Sequence, residues 1–134
     1  MKVIEKRLLV TAAILGALGV LLGAFGAHAF SKILSVEQLL SYKTAIRYQF
    51  YHLFLMMAVA FVPVFNTKLK SILFWLLFIG VSFFSGSIYL LVLGEPVFGL
   101  SFKTIGFVTP IGGLLLILAW MVFSVSLMKI AVES

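Results

Sequence analysis

The stretch TAIRYQFYH, residues 44–52, stands directly before LFLMMAVAFV, residues 53–62. Its polar side chains include an arginine, two tyrosines, a glutamine and one of the two histidines of the chain. The residues that follow have no polar side chain, which suits a helix surrounded by lipid. Since lipid offers no hydrogen-bond partner, the polar side chains must find theirs inside the protein. This segment therefore predicts a membrane helix that carries a polar cluster at its start.

The composition extends this prediction to the whole chain. Of the 134 residues, 63% are hydrophobic and only 10% are charged, which lies far outside the range of soluble globular domains. The charged residues leave four long runs without formal charge, at residues 8–31, 48–67, 71–94 and 104–128. Each run has about the twenty residues that an α-helix needs to cross roughly 30 Å of hydrocarbon. The sequence predicts an all-α membrane protein, a single four-transmembrane-helix bundle.

The predicted membrane helices have recognisable ends. They cover about residues 8–27, 44–65, 71–93 and 104–128. Ser35–Gln38 has the pattern of a capping box and opens a short amphipathic stretch before helix 2. We expect Asn66–Lys70 to form a tight basic turn, Gly94–Gly99 to break helix 3, and Pro110 to kink helix 4 near its start.

The first apolar run also has features of a cleavable signal peptide. Lys2, Lys6 and Arg7 give it a basic start, and Ala27–Ala29 has the small-x-small form of a cleavage site. However, the apolar part that begins at Leu8 is longer than the roughly 7–15 residues of a usual signal core. We therefore expect the first segment to remain as a membrane helix.

Helix 1 carries a strip of small residues at Gly16, Gly19 and Gly23. Spacings of three and four residues place them on one helical face, where another backbone can approach closely. Glycine is also frequent in membrane helices for other reasons. The strip therefore predicts a packing face without identifying what packs there.

The distribution of lysine and arginine predicts an orientation. With four crossings, both termini and the turn at residues 66–70 share one side, which holds six Lys or Arg against four on the other. This bias favours an inner or plasma membrane protein with both termini in the cytoplasm. The formal charge of +6 favours attraction to anionic lipid head groups. Nucleic acid is excluded as a partner because the charges are divided between two faces and form no patch.

Most polar residues of the predicted helices fall in the half of the bilayer opposite the termini. The start of helix 2, the later half of helix 3 and the start of helix 4 all lie there. The candidate polar cluster or ligand site comprises His28, Arg47, Tyr48, Gln49, His52, Ser85, Ser87, Tyr89 and Thr109. We expect Tyr48, Gln49 and His52 to face the bundle and to meet helices 3 and 4, whereas Arg47 extends toward lipid phosphate. Such a cluster is either a hydrogen-bonded plug or a small binding site.

These residue types exclude several kinds of site. Metal sites usually need three or four His, Cys or carboxylate ligands, and the chain has two His, no Cys and no acid inside the predicted helices. Ion-coupled transporters commonly use an acid of that kind. Ser85 and Ser87 near His52 lack an orienting acid for nucleophilic catalysis. We expect no enzymatic activity, no metal and no cofactor, with a haem held by His28 and His52 as the open alternative.

Four motifs of this chain resemble the YgdD/YwdK family. They are GAFGAHAF (23–30), TAIRYQFYH (44–52), FFSGSIYLLVL (83–93) and TPIGG (109–113), the last followed by Trp120. They occur in the family's order and span nearly the whole chain. The resemblance implies a small four-helix protein of bacterial inner membranes, with vertebrate relatives, classed as a domain of unknown function. It supplies no catalytic residues. The family usually has Gly-Leu after GAH, where this chain has Ala29 and Phe30.

The expected function is a non-enzymatic membrane protein that acts in helix packing, lipid binding or as an accessory subunit. Its expected partners are membrane lipids, with a second copy or another membrane protein as a further partner. One alternative is a small-molecule or haem-binding protein that uses a polar cavity in the outer half of the bundle. Another is a small permease. Co-purified lipid, a visible absorption spectrum and liposome flux would distinguish these functions.

Overall fold

The computed structural model describes residues 1–131, which fold into helices joined by short turns and contain no strand. The five α-helices are α1 (Val3–Ala27), α2 (Val36–Phe61), α3 (Thr67–Val81), α4 (Ser87–Leu93) and α5 (Val108–Met128). The all-α prediction is therefore confirmed. Residues 132–134, and with them the C-terminal end whose side we predict, lie outside the described residues.

Helices α3 and α4 belong to one continuous helical segment. A π-helical turn, Ser82–Gly86, joins them, and a second one, Gly94–Phe98, extends α4. We call the whole stretch, Thr67–Phe98, the third segment. It continues beyond the break predicted at Gly94 and ends at Gly99, whose φ of 65° is the left-handed conformation that glycine adopts without strain.

Local chemistry explains where α1 and α2 begin and end. Helix α1 starts at Val3, earlier than predicted, because the Glu5 carboxylate accepts a hydrogen bond from the Lys2 backbone N–H at 2.7 Å. The capping box at Ser35–Gln38 is confirmed, and it opens α2 itself, so the predicted amphipathic stretch is the first part of that helix. Helix α2 ends at Phe61, before Pro63, rather than at residue 65, because proline disfavours a helical residue before it.

Another local prediction is wrong. Asn66–Lys70 is not a tight basic turn: the Asn66 side chain accepts from the Leu69 N–H and caps α3. Helix α5 begins at Val108, after a short 3₁₀ turn, so Pro110 lies in its first turn. There the missing proline N–H would have had no helical partner, and no kink is required.

The turn after α1 tolerates the change from the usual family sequence. His28 and Ala29 both have right-handed helical conformations. Among the described residues, only Gly99 has a positive φ. This turn therefore has no position that requires glycine, and Ala29 fits it without strain.

Within residues 1–131, three helical stretches are long and apolar enough to span a membrane: Val3–Lys32, Thr67–Phe98 and Lys103–Met128. Helix α2 has 26 residues, which corresponds to about 39 Å, so it is long enough as well. Its composition is less apolar because TAIRYQFYH lies at its centre. The four predicted crossings thus reduce to three candidate spans and one polar helix of similar length.

Contacts between side chains define an up-and-down arrangement. In α1 and α2, Gly26 lies beside Tyr42 and Gly19 beside Phe50, so that the two helices run antiparallel. Each later neighbour also reverses direction. Lys70 and Ser85 of the third segment bond to Ala60 and Ala45 of α2, and its Gly80 and Phe84 lie beside Leu116 and Gly112 of α5. Consecutive helices therefore pack side by side along most of their length.

The glycine strip of α1 is only partly used for packing. A Cβ atom on Gly19 would lie 2.5 Å from the Phe50 ring, and one on Gly16 would lie 3.8 Å from Leu53. A Cβ atom on Gly23 would meet nothing within 4 Å, so its predicted packing role is wrong. The next close contact is Gly26 against Tyr42, seven residues from Gly19. Gly23 is rotated by about 40° from Gly19 around the helix and lies at the side of this contact.

A close backbone contact lies between the third segment and α5. A Cβ atom on Gly112 would lie 2.7 Å from the Phe83 carbonyl carbon and 2.9 Å from the Gly80 oxygen. These are backbone atoms, which cannot turn aside as a flexible side chain can. The adjacent Gly113 has only ordinary contacts, the nearest at 3.6 Å to the Phe84 ring.

This pair of glycines gives a matched test of the fold. We expect Gly112→Ala to lower the free energy of unfolding by about 1–3 kcal/mol, because the methyl group would push two backbones apart. Gly113→Ala should change it little. Reversible unfolding in mixed detergent micelles measures both values. Equal stabilities of the two variants would contradict the close backbone contact.

Candidate functional site

Gln49 is the centre of the polar residues inside the bundle. Its side chain is only 3% exposed. The amide nitrogen donates to the Leu15 carbonyl of α1 at 2.6 Å, and the amide oxygen accepts from the Tyr89 hydroxyl at 2.7 Å. One side chain of α2 thus binds α1 and α4 at once. The sequence predicts the contact with helix 3 but not the contact with α1.

The serines around the first π-helical turn connect the third segment to its two neighbours. The buried Ser85 hydroxyl donates to the Ala45 carbonyl of α2 at 2.7 Å. The Ser87 and Thr109 hydroxyls lie 2.6 Å apart and join α4 to α5. Ser85, Ser87, Tyr89 and Thr109 therefore meet in the region that the sequence predicts, as links between helices.

His52 has a partner on each ring nitrogen. Its Nε2 lies 3.2 Å from the Trp120 indole nitrogen, and its Nδ1 lies 2.6 Å from the Tyr48 carbonyl oxygen. An indole N–H can only donate, so Nε2 must accept. The neutral imidazole with its proton on Nδ1 then donates to Tyr48, and both nitrogens are satisfied.

A groove of about 560 Å³ opens beside His52, between α2 and α5. Its walls are almost entirely aromatic and apolar, and they are formed by Tyr48, Tyr51, His52, Phe54, Phe84, Gly113, Leu116, Ile117 and Trp120. The groove is open on the outer surface of the bundle, where Tyr51 and Ile117 are exposed. We call it the α2–α5 groove.

Three predicted cluster members lie outside the buried network. Tyr48 does not face the bundle interior: it is 39% exposed and packs its ring against Phe84 at the groove. His28 is exposed where α1 ends, and Arg47 is exposed on α2. The grouping of these three residues with the buried network is therefore wrong, and so is the expected inward orientation of Tyr48, whereas the outward position of Arg47 agrees with its expected extension toward lipid phosphate.

The two histidines are too far apart to share a haem iron. His28 follows Gly26, which lies beside Tyr42, and His52 is ten residues further along α2. This spacing corresponds to about 15 Å along the bundle. Both nitrogens of His52 are also engaged in hydrogen bonds. In the described part of the chain, no three His, Cys, Asp or Glu residues lie close enough to hold a metal ion.

A buried ion pair at the opposite end of the bundle has no counterpart in the sequence predictions. Lys70, only 1% exposed, donates to the Glu5 carboxylate at 2.8 Å and to the Ala60 carbonyl at 2.9 Å. It joins α1, the end of α2 and the start of α3. The predicted topology already places Glu5 and Lys70 on the same side of the membrane. Their opposite charges are the feature of the sequence from which the pair could be predicted.

Comparison with known proteins gives the family. The family described as "Protein of unknown function (DUF423)" matches residues 22–113. The UPF0382 membrane protein YwdK of Bacillus subtilis is 32% identical over 126 residues, which cover 92% of this chain and 98% of YwdK. The UPF0382 inner membrane protein YgdD of Escherichia coli is 30% identical over 129 residues, 94% of this chain and 92% of YgdD.

A UPF0382 membrane protein of Staphylococcus saprophyticus is 37% identical over 121 residues, which cover 87% of this chain and 96% of that protein. No solved structure matches the chain. The chain belongs to this family of membrane proteins of unknown function, as its four motifs predict.

The hydrogen bond between Gln49 and Tyr89 can be measured by a double-mutant cycle. We expect Gln49→Leu and Tyr89→Phe each to lower the free energy of unfolding modestly, with a coupling of about 0.6 kcal/mol, since membrane hydrogen bonds are weak. Tyr51→Phe, which removes an exposed hydroxyl, should not couple to Gln49→Leu. A coupling of zero for both tyrosines would show that the bond does not form in the membrane.

Proposed function

We propose that this protein is a non-enzymatic, multi-pass cell-membrane protein that binds a lipid acyl chain in the α2–α5 groove. The proposal includes four membrane crossings, both termini in the cytoplasm, and no resident cofactor. The observation that carries it is the α2–α5 groove itself, an apolar opening at the depth of the acyl chains.

The depth of the groove follows from the neighbouring charge-free runs. Phe84 is close to the middle of residues 71–94, and Gly113 is close to the middle of residues 104–128. Both residues line the groove. At this depth the surrounding solvent is hydrocarbon, so an acyl chain is the most abundant molecule that can enter. Aromatic and apolar walls suit such an occupant.

Four crossings are supported by the position of α2. It runs antiparallel to α1, from Tyr42 beside Gly26 at one end to Leu53 beside Gly16 further along. At its far end the Ala60 carbonyl accepts from Lys70, next to the Glu5 carboxylate of α1. Helix α2 therefore extends alongside α1 over most of its length, which supports a membrane crossing by α2 as well.

The absence of enzymatic activity is supported by the partners of the candidate groups. The Ser85 hydroxyl donates to the Ala45 carbonyl, and the Ser87 hydroxyl contacts Phe84 and Thr109. His52 accepts from Trp120, so its Nε2 is not available as a base for either serine. This arrangement favours hydrogen bonds that hold helices together over a nucleophile with its base.

A small apolar molecule is the second candidate occupant of the same groove. The observation that favours it is the polar edge that Tyr48 and Tyr51 give to an otherwise apolar site. Such convergent polar groups orient small ligands in many pockets. The mass of the co-purified species distinguishes it from a lipid.

The proposed orientation can be tested with reporters at two positions. A fluorescent protein fused after Ser134 should fluoresce, because the six Lys or Arg on the side of the termini favour the cytoplasm. A phosphatase reporter inserted at Gly99 should be active outside the cytoplasm. The opposite result at both positions would invert the orientation, and the same side for both would contradict four crossings.

The groove can be tested by filling it. Ile117 and Leu118 are adjacent and exposed, but only Ile117 lines the groove. We expect Ile117→Trp to reduce the amount of co-purified lipid several-fold, because the indole occupies the space of the chain, whereas Leu118→Trp should retain it. Mass spectrometry of lipid extracted from matched amounts of purified protein measures both. Equal lipid content in the two variants would contradict the proposed site.

A further inference from the structure

A second groove, of about 460 Å³, lies between α1 and α2 at the end of the bundle opposite the termini. Its α1 wall is formed by small residues, including Gly23 and Ala27. Ser31 and Lys43 supply its exposed polar side chains, whereas Tyr42 is buried. The groove exists because Gly23, unlike Gly19 and Gly26, has no side chain of α2 against it. We call it the α1–α2 groove.

One cation lines this groove, a second lies one turn deeper on the same helix, and neither has a carboxylate partner among residues 1–131. Lys43 lines the groove, and Arg47 is four residues further along the same face of α2. Both are exposed, and among residues 1–131 the two ion pairs formed involve Lys70 and Lys103 instead. A pair of like charges on one helical face is unfavourable unless an anion lies between or beside them.

The depth of Arg47 makes the need for an anion stronger. Ala45 lies opposite Ser85, near the middle of the charge-free run 71–94. Gln49 lies beside Gly19, near the middle of the run 8–31. Arg47 is between these two levels, so its backbone is near the centre of the membrane-spanning part of the bundle. A guanidinium at that depth is costly unless its side chain extends toward an anion.

Among residues 1–131, no acidic side chain is placed to supply that anion. Glu5 pairs with Lys70 at the opposite end of the bundle and Glu95 pairs with Lys103, while Glu37 forms no ion pair and lies ten residues, or about 15 Å, from Arg47 along α2. A second copy in the same orientation would place its described acids at these same depths, away from Arg47. Phosphate groups of lipids are the anions that every membrane presents, and Lys43 lies one turn nearer to the head groups than Arg47 does.

We infer that the α1–α2 groove binds one anionic phospholipid, whose phosphate pairs with Lys43 while the Arg47 guanidinium extends toward it from one turn deeper. The Ser31 turn lies at the head-group end of the groove. The upper part of an acyl chain lies along the smooth wall at Gly23. Head-group charge sets the selectivity here, whereas the α2–α5 groove has no cationic side chain in its walls. The two sites are separate, and neither depends on the other.

The experiment compares phosphatidylglycerol with phosphatidylcholine of the same acyl chains, titrated into delipidated protein and counted by native mass spectrometry. The wild-type protein should bind one phosphatidylglycerol in preference to phosphatidylcholine. The double variant Lys43→Gln, Arg47→Gln should lose roughly thirty-fold in affinity for phosphatidylglycerol, since each cation contributes about five-fold. The control Lys6→Gln, Lys68→Gln removes two exposed cations from the opposite end of the bundle and should keep the preference.

A second variant separates the groove from the charges. Gly23→Trp fills the α1–α2 groove, and the open space at Gly23 lets the fold accept it. It should lower phosphatidylglycerol binding with both cations intact, whereas Ile117→Trp should not. The inference is overturned by any of three results: equal binding of the two lipids, an unchanged preference in Lys43→Gln, Arg47→Gln, or full displacement of the lipid by millimolar inorganic phosphate, which would indicate a site for free anions.

Discussion

A polar side chain in hydrocarbon has no water to bind, and this constraint organises the bundle around α2. Gln49 reaches a carbonyl of α1 and a hydroxyl of α4. The Tyr42 hydroxyl donates to the Leu22 carbonyl, again between α2 and α1. Individually such bonds are weak in membranes, at about 0.6 kcal/mol. Their effect is on register, because a shift of one residue along either helix would leave several of these groups without a partner.

The sequence predicts the parts of this fold that depend on local chemistry. The capping box at Ser35 follows from the order of residues at one helix start, and the approach of Gln49 to Tyr89 follows from helix direction and from the lack of partners in lipid. It does not predict which carbonyl Gln49 selects on α1. The partner carbonyl depends on the register and rotation of α2 relative to α1. These are set by the packing of Phe50 over Gly19 and of Tyr42 over Gly26.

Lys70 shows the other limit of prediction. A lysine near a helix end is normally assigned to the membrane surface, yet Lys70 is buried against Glu5 because Asn66 starts α3 early and turns that position inward. The π-helical turn at Ser82–Gly86 is equally hidden, since no local motif in the sequence marks it. Both features arise from tertiary packing, which overrides the local pattern.

The same packing explains why the chain has open grooves. Helix α5 approaches the third segment to backbone contact at Gly112, while it meets α2 through the bulky rings of Trp120 and His52. A helix held close on one side and at a distance on the other leaves a gap on the distant side, which is the α2–α5 groove. On the other side of α2, the missing side chain of Gly23 leaves the α1–α2 groove. Helix α2 supplies side chains for the internal hydrogen bonds and also the polar edges of both grooves. It is less apolar than its neighbours because its central position requires these polar side chains.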